Sequence, residues 1–351
     1  MEADKIEHKK SSRLYYMDIL RILACIFVVG NHTLGAAFIG VPQGAEQTWL
    51  IVWFFLCKTG VPLFLMLSGA LVMRSTVSYQ KMFKKTAQLL IILTAASLYV
   101  WRYQIIGNEI INTGEFITAL LRDPILLNYW YLYTAVGLYL MTPLLNRMVK
   151  AMEGADFAWY MLLWMLFAGL VPMLEVYSYP AVSSHLYVPM FSGYLGYYIM
   201  GYCLAWRKRS KYDIALAVIF ISLAVGGMYY LALATMAEQG GTVPIRLLLD
   251  NARFLPVIFI SMGLFFTVRA LSDSGEIHPW LGLVLAKISD ATFSVYILHS
   301  ILIPYFADWR LEVFSSLPTV EAVATYTFTI FATSLLIGVV AKEIPILKKL
   351  L

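Results

Sequence analysis

Three ionisable side chains lie within one long apolar run near the start of the chain. They are Asp18, Arg21 and His32, in the segment YYMDILRILACIFVVGNHT. At about 100° and 1.5 Å per residue, a helix would place Arg21 and His32 only about 20° apart around its axis and about 16 Å apart along it. Asp18 would lie about 40° from His32 on the same face. This polar stripe predicts a helix that faces a polar cavity inside a bundle, because lipid would not accept it.

The chemistry expected on this face differs between its two ends. His32 lies too far into the run to reach the headgroups, so it is expected to carry a proton, bind a ligand or form interior hydrogen bonds, and catalysis or proton handling is favoured. Two interpretations stay open for Asp18 and Arg21. They either belong to a binding site or form an i, i+3 ion pair whose arginine extends to the headgroups.

Other polar and aromatic side chains in apolar runs are candidates for the cavity or for binding an acceptor. Several have a structural alternative. Ser68 adjoins Gly69, a small residue typical of closely packed helices, and Trp130 also fits an interfacial anchor. Arg253 follows Asp250 and would otherwise pair with it, and a buried histidine is often only hydrogen-bonded. The candidates are Asn31, Ser68, Trp130, Arg253, Tyr296 and His299.

A basic cluster, KMFKK, precedes the third apolar run. Its members Lys81, Lys84 and Lys85 fit either a phosphate-binding site or an ordinary basic loop at a membrane surface. We predict no metal site, because HExxH and paired Cys/His spacings are absent, as are Walker A, GxGxxG and GxSxG motifs. The three cysteines fit small apolar residues.

The composition indicates the class of fold that positions these residues. Hydrophobic residues make up 60% of the 351 and charged residues 13%, and the mean hydropathy is +0.74. A soluble globule of this size cannot bury that much apolar surface, so we predict an all-α integral membrane protein. About ten runs have the roughly 20 residues that a membrane helix needs. They span residues 17–39, 49–73, 87–106, 127–146, 157–176, 188–206, 212–236, 251–271, 288–306 and 320–341.

The basic residues give this bundle an orientation. Nineteen of the 26 Lys and Arg residues fall in the termini or in alternate loops, and only four fall in the other loops. By the positive-inside rule, both termini are cytoplasmic. The formal charge of +5 therefore reflects topology, and we expect no nucleic-acid partner. The predicted organisation is a basic tail (1–16), one transmembrane domain (17–341) and a short basic C-terminus (342–351).

Four segments in this order resemble the acyltransferase 3 family of integral membrane O-acyltransferases, in its stand-alone form without a soluble fused domain. The first is the Asp18, Arg21 and His32 pattern, with ten residues between Arg21 and His32. The others are VPLFLMLSGALV, NYWYLYTAVGLYLMTPLL and ATFSVYILHSILI. One departure is the KMFKK cluster, where members often carry RxxR; lysine keeps the charge but loses the bidentate fork.

The resemblance implies transfer of an acyl group, usually acetyl, from acetyl-CoA or another acyl-CoA to a hydroxyl of a cell-envelope polysaccharide or lipid-linked glycan. His32 would be the general base, with an acyl-histidine intermediate as the second route. Arg21 and the three lysines would attract the donor phosphates, Asp18 would orient Arg21, and Ser68 or Tyr296 would help to bind the oxyanion.

This interpretation places the protein in the inner membrane among lipids, as a multi-pass enzyme. A transporter or flippase for a lipid-linked sugar is the alternative, because it too needs polar groups inside a bundle. The sequence leaves the acceptor, the acyl group and the oligomeric state open.

Overall fold

The computed structural model describes residues 13–34, 41–42, 44–107, 112–176, 193–208, 210–238, 252–272 and 278–350. Within these ranges the regular structure is helical and contains no β-strand, which confirms the all-α prediction. The helices are α1 (Tyr15–Leu34), α2 (Ala45–Lys58), α3 (Gly60–Val72), α4 (Tyr79–Val100), α5 (Thr113–Arg122), α6 (Trp130–Ala151), α7 (Gly154–Trp164), α8 (Val171–Val176), α9 (Leu195–Trp206), α10 (Asp213–Glu238), α11 (Leu255–Ser272), α12 (Pro279–Leu302), α13 (Ala307–Ser316), α14 (Thr319–Ala341) and α15 (Pro345–Leu350).

Seven helical segments in the described part are long and apolar enough to cross a membrane. They are Tyr15–Leu34, Ala45–Val72, Tyr79–Ile105, Gly154–Met173, Leu255–Ser272, Pro279–Ser316 and Thr319–Ala341. The other three predicted spans overlap α6, α9 and α10. Because α6 is rich in Tyr and α9 has only 12 described residues, the count of ten stays a prediction.

The predicted span 49–73 is interrupted between α2 and α3. Proline has no backbone N–H, so Pro62 cannot donate the helical hydrogen bond to the Lys58 carbonyl. Thr59 lies at the break, where its hydroxyl donates to the Leu56 carbonyl at 2.6 Å. The two helices still form one continuous apolar segment, Ala45–Val72.

Helices α3 and α9 pack backbone against backbone at two glycines. A Cβ atom added to Gly69 would lie 1.8 Å from the Tyr198 carbonyl oxygen, and one added to Gly201 would lie 1.9 Å from that of Met66. Only residues without a side chain allow this approach, as expected for small residues in membrane helix interfaces.

Contacts between helices define two ends of the bundle. At one end, Arg13 precedes α1 and its Nη2 donates to Asp290 Oδ1 of α12 at 2.7 Å, and Gln88 of α4 contacts Leu350 of α15. We call this the basic end. At the opposite end, His32 near the end of α1 lies beside His299 near the end of α12, with 5.3 Å between the ring centroids.

Candidate active site

A cavity of about 580 Å³ lies at the basic end, between α1, α3, α4, α6, α12 and the segment after α14. Its lining extends along α12 from Ser289 to Tyr296, two turns or about 10 Å. We call it the basic-end cavity. Its charged lining residues are the cations Arg21, Lys85, Lys342 and Lys348 and the carboxylates Asp290 and Glu343. Its polar and aromatic lining residues include Ser68, Gln88, Tyr131, Tyr139, Ser289, Thr292 and Tyr296.

Arg21 is the only cation of this lining that α1 supplies within the described chain. Its Nη1 donates to Ser289 Oγ at 3.0 Å, which ties the guanidinium to α12. The Nη1 atom is 4.0 Å from Asp18 Oδ1, at the limit of an ion pair. A guanidinium held in this way keeps donors that can bind a phosphate in the cavity.

The main partner of Asp18 is Arg13. Arg13 Nε donates to Asp18 Oδ2 at 2.7 Å and its Nη2 to Oδ1 at 2.9 Å, so both oxygens of this buried carboxylate are engaged. The hydrogen bonds from Arg13 to Asp18 and then to Asp290 hold the pKa of the Arg13 guanidinium above its usual value. Asp18 thus bonds chiefly to the residue that leads into α1.

The three lysines of the KMFKK cluster occupy the first turns of α4. Ser78 caps this helix, and its hydroxyl accepts from the Lys81 amide at 3.3 Å. Lys85 lines the basic-end cavity, whereas Lys81 and Lys84 are exposed and lie outside its lining. Only one of the three expected donor-binding lysines therefore reaches the cavity.

Four rings connect the cavity with the opposite end of the bundle. The ring centroids are 5.2 Å apart between Tyr131 and Tyr296, 5.9 Å between Tyr296 and His299, and 5.3 Å between His299 and His32. We call this series the ring ladder. His32 is exposed and His299 is fully buried. The ladder therefore leads from a polar cavity to a solvent- or lipid-accessible histidine.

His299 has defined partners for both ring nitrogens. Its Nδ1 donates to the Val295 carbonyl at 3.1 Å, since a carbonyl can only accept. Its Nε2 lies 2.9 Å from Ser300 Oγ. The arrangement suits a neutral ring with the proton on Nδ1 and the Ser300 hydroxyl donating to Nε2.

The other expected cavity residues have different outcomes. Ser68 lines the cavity together with Tyr131. Tyr296 also lines it, but its hydroxyl donates to the Asn128 carbonyl, so it is not poised to stabilise an oxyanion. The buried Oδ1 of Asn31 has no hydrogen-bond partner among the described residues.

Trp130 and Arg253 approach the same aromatic ring. The Trp130 ring centroid is 4.8 Å from that of Tyr194, and the Arg253 guanidinium carbon is 5.5 Å from the Tyr194 centroid. This trio stands at the N-terminal ends of α6 and α9 and just before α11. Asp250, the alternative partner expected for Arg253, lies outside the described residues.

Sequence reasoning missed several residues around the cavity. Ser289 lies two residues before the ATFSVYILHSILI motif and was not among the candidate site residues, and Lys342 and Lys348 were assigned to a tail. Lys342 Nζ donates to the Asp290 carbonyl, and burial lowers its pKa while Asp290 acts in the opposite direction. Lys58, which is not part of this lining, is also buried, with its Nζ 4.5 Å from the Phe54 ring centroid. Its position inside an apolar run is the sequence feature that distinguishes it.

Potential metal ligands are not clustered in the part of the chain that the structure describes. No group of three His, Cys, Asp or Glu side chains there could hold a metal ion.

Comparison with known proteins assigns the chain to a family. No curated protein and no solved structure matches the chain. A protein family does match, over residues 14–341, and its description is "Acyltransferase domain". The match includes Arg21, the ring ladder and nearly all of the described helices. With its several apolar helices, the chain is a multi-pass membrane acyltransferase, and it belongs to the acyltransferase 3 family.

Proposed function

We propose that this protein transfers an acyl group, most simply acetyl, from cytoplasmic acyl-CoA to a hydroxyl of a cell-envelope polysaccharide or lipid-linked glycan in the inner membrane. The observation that carries the proposal is the pairing of a cationic cavity with a ladder of rings that ends at His32. A family that transfers acyl groups needs one site for a donor and another for an acceptor. The cavity at one end of the ring ladder would bind the donor, and the surface around His32 at the other end would bind the acceptor.

The donor fits the basic-end cavity by charge. Coenzyme A carries its phosphates at one end and its thioester at the other, joined by a long flexible arm. Arg21 and Lys85 would bind the phosphates at the basic end, and the arm would follow the polar lining to Tyr131 and Tyr296. The acyl end would then have to extend beyond this lining, past His299, to bring the thioester to His32. In this orientation the basic end is cytoplasmic, in agreement with the distribution of Lys and Arg.

The acceptor would approach His32 from the opposite end. As a neutral imidazole, His32 takes the proton of the acceptor hydroxyl while that oxygen attacks the thioester carbonyl. The C–S bond then breaks, and the leaving thiolate of coenzyme A takes the proton from the His32 imidazolium. The products are an ester and a free thiol, and His32 is neutral again. Trp130 and Arg253, which both approach the Tyr194 ring, would offer an aromatic and cationic surface for a sugar or its anionic group.

Direct transfer is the simpler of the two routes, because one base serves the whole reaction and no second covalent step is needed. The ring of His299 packs beside that of His32, and its own nitrogens bond to Val295 and Ser300. In this scheme His299 positions the His32 ring by packing.

The test of the reaction uses purified protein in lipid nanodiscs with radiolabelled acetyl-CoA and an envelope glycan fraction. Label should move to the glycan, and mass spectrometry of that fraction should show the added acyl mass. His32→Ala should lower kcat by about 10²–10⁴-fold, the usual contribution of a general base. The control is His278→Asn, which replaces an exposed histidine at the start of α12 with another capping residue. Normal transfer by a correctly folded His32→Ala protein would exclude His32 as the base, and transport of the glycan without any label transfer would favour the flippase.

The donor site has its own test. Arg21→Ala should weaken coenzyme A binding by about tenfold, because a charge-assisted hydrogen bond contributes about 1.5–3 kcal/mol. Isothermal titration of coenzyme A into the two proteins measures this. Unchanged affinity would remove Arg21 from the donor site without affecting the assignment of His32.

A further inference from the structure

The segment after α14 is docked onto the bundle. Gln88 Nε2 of α4 donates to the carbonyls of Lys349 at 3.1 Å and Leu350 at 2.7 Å, near the end of α15. Leu350 packs against the main hydrophobic core. The predicted C-terminal tail is therefore, over residues 342–350, a turn and a short helix held by α4.

This segment forms one wall of the basic-end cavity. Lys342, Glu343, Lys348 and Leu350 all contribute to the lining. At the start of the segment, the Lys342 ammonium donates to the Asp290 carbonyl of α12. The segment thus spans the cavity between two attachments, one on α12 and one on α4. It also lies beyond residue 341, where the family match ends.

The apolar side of α15 faces a different space. Leu347 and Leu350 help to line an apolar groove of about 440 Å³ between α4, α12 and α14. Leu350 borders both spaces. The short helix therefore separates a polar cavity from an apolar groove, and its position is fixed by apolar packing as well as by Gln88.

The charges of the segment suit an anionic ligand. Lys348 belongs to the same cavity lining as Lys85 and Arg21, while the neighbouring Lys349 lies outside it. Of the two carboxylates in that lining, Asp290 is already bonded to Arg13 at 2.7 Å. The cations of the lining therefore have the capacity to bind additional negative charge.

We infer that residues 342–350 form a C-terminal clasp over the donor site, in which Lys348 binds a phosphate group of the acyl donor. The inference rests on the proposed function for the identity of the donor. It adds a binding residue and a covering element that lie outside the part of the chain shared with the family. The clasp is hydrogen-bonded to Asp290 at its start and to Gln88 at its end, so the bound donor would lie between the clasp and α12.

The first experiment compares two adjacent lysines on the same helix. Coenzyme A is titrated into the full-length protein, Lys348→Glu and Lys349→Glu in nanodiscs. Lys348→Glu should weaken binding by at least about tenfold, because it replaces a charge-assisted contact with repulsion. Lys349→Glu makes the same change in net charge and should stay within about twofold, as expected of a salt-screened charge outside the cavity lining. Equal losses in both variants, or no loss in Lys348→Glu, would overturn the role of Lys348.

The second experiment tests the covering role without coenzyme A. Ser68→Cys places a thiol in the cavity, in a Cys203→Ser background, since Cys25 and Cys57 are buried. A negatively charged methanethiosulfonate reagent should label this thiol several-fold faster when the chain ends at Ala341. Gln88→Leu in the full-length chain should also speed labelling, and it serves if the shortened chain folds poorly. Equal labelling rates in a folded variant and the parent would overturn the clasp.

The two experiments separate the possible failures. If the full-length protein binds no coenzyme A but the clasp still slows labelling, the proposed donor is wrong and the covering role is supported. If coenzyme A binds and the lysine variants behave alike, the donor stands and the clasp residue is wrong.

Discussion

At the scale of single residues, the candidate site depends on which arginine bonds to the Asp18 carboxylate. The i, i+3 spacing of Asp18 and Arg21 suggests a local ion pair, yet Arg13 occupies both oxygens of Asp18. This leaves Arg21 to reach across to Ser289 and into the cavity. The sequence indicates that these residues share a region, but the choice of partner depends on α12 lying beside α1, which spacing within α1 does not specify.

The hydrogen bond between Arg21 and Ser289 predicts that Ser289 contributes to binding of the acyl donor. Ser289→Ala should raise the KM for the acyl donor about fivefold and leave kcat nearly unchanged, because a hydrogen bond of about 1 kcal/mol positions the guanidinium. Steady-state kinetics with varied acetyl-CoA measures both constants. Ser334→Ala is the matched control, a fully buried serine of α14 whose hydroxyl has no hydrogen-bond partner in the described structure. A fall in kcat with an unchanged KM would contradict a donor-positioning role.

The histidine pair gives a second prediction. His299→Gln should lower kcat about tenfold, less than His32→Ala, because a positioning residue supports the base without exchanging the proton itself. The KM for the acyl donor should stay nearly unchanged, because His299 lies outside the lining of the basic-end cavity. Ser300→Ala, which removes only the hydroxyl near Nε2, should have a smaller effect on kcat. An unchanged kcat in a folded His299→Gln protein would remove His299 from the scheme.

At the scale of elements, close packing between helices holds the cavity in place. The VPLFLMLSGALV motif predicted small residues at a helix contact, and the structure confirms this at Gly69. The break at Thr59 is explained by Pro62, a signal that was also present in the sequence. The roles of Lys81, Lys84 and Lys85 were less predictable, because helical spacing alone does not show which face of α4 lines the cavity.

The α3–α9 contact can be tested by adding one methyl group. Gly69→Ala should lower the thermal unfolding temperature and the yield of folded protein, because the new Cβ would meet the rigid Tyr198 carbonyl. Gly137→Ala is the control in α6, where an added Cβ meets nothing within 4 Å and alanine favours the helix by about 1 kcal/mol. Thermal unfolding followed by fluorescence-detected size exclusion compares the two. Equal unfolding temperatures of the two variants would show that α3 and α9 can move apart to accept the added methyl group at little cost.

At the scale of the whole molecule, the composition predicted the class and the charges predicted the orientation. Seven segments meet the length and hydropathy of membrane spans in the described part of the chain. The remaining helices α6, α9 and α10 are the Tyr-rich or incompletely described ones, which is why apolar length alone does not establish ten. The role of the C-terminus was missed because its contacts with Gln88 and Asp290 join residues more than 50 positions apart.

Ten crossings and cytoplasmic termini make a prediction about the accessibility of the two ends. In a Cys203→Ser background, Lys349→Cys should react with an impermeant maleimide only when the cytoplasmic face is exposed. Leu127→Cys, an exposed position before α6, should react from the outside of intact cells. Inverted and right-side-out membrane vesicles provide the comparison. Labelling of both positions from one side would contradict the proposed topology.

The two carbonyls held by Gln88 also have a practical consequence for handling the protein. A purification tag fused to the C-terminus would extend the chain directly from this contact and would compete with the docking of Leu350. At the N-terminus, twelve residues separate a tag from Arg13. An affinity handle belongs at the N-terminus, and a C-terminal reporter fusion is expected to measure a partly perturbed enzyme.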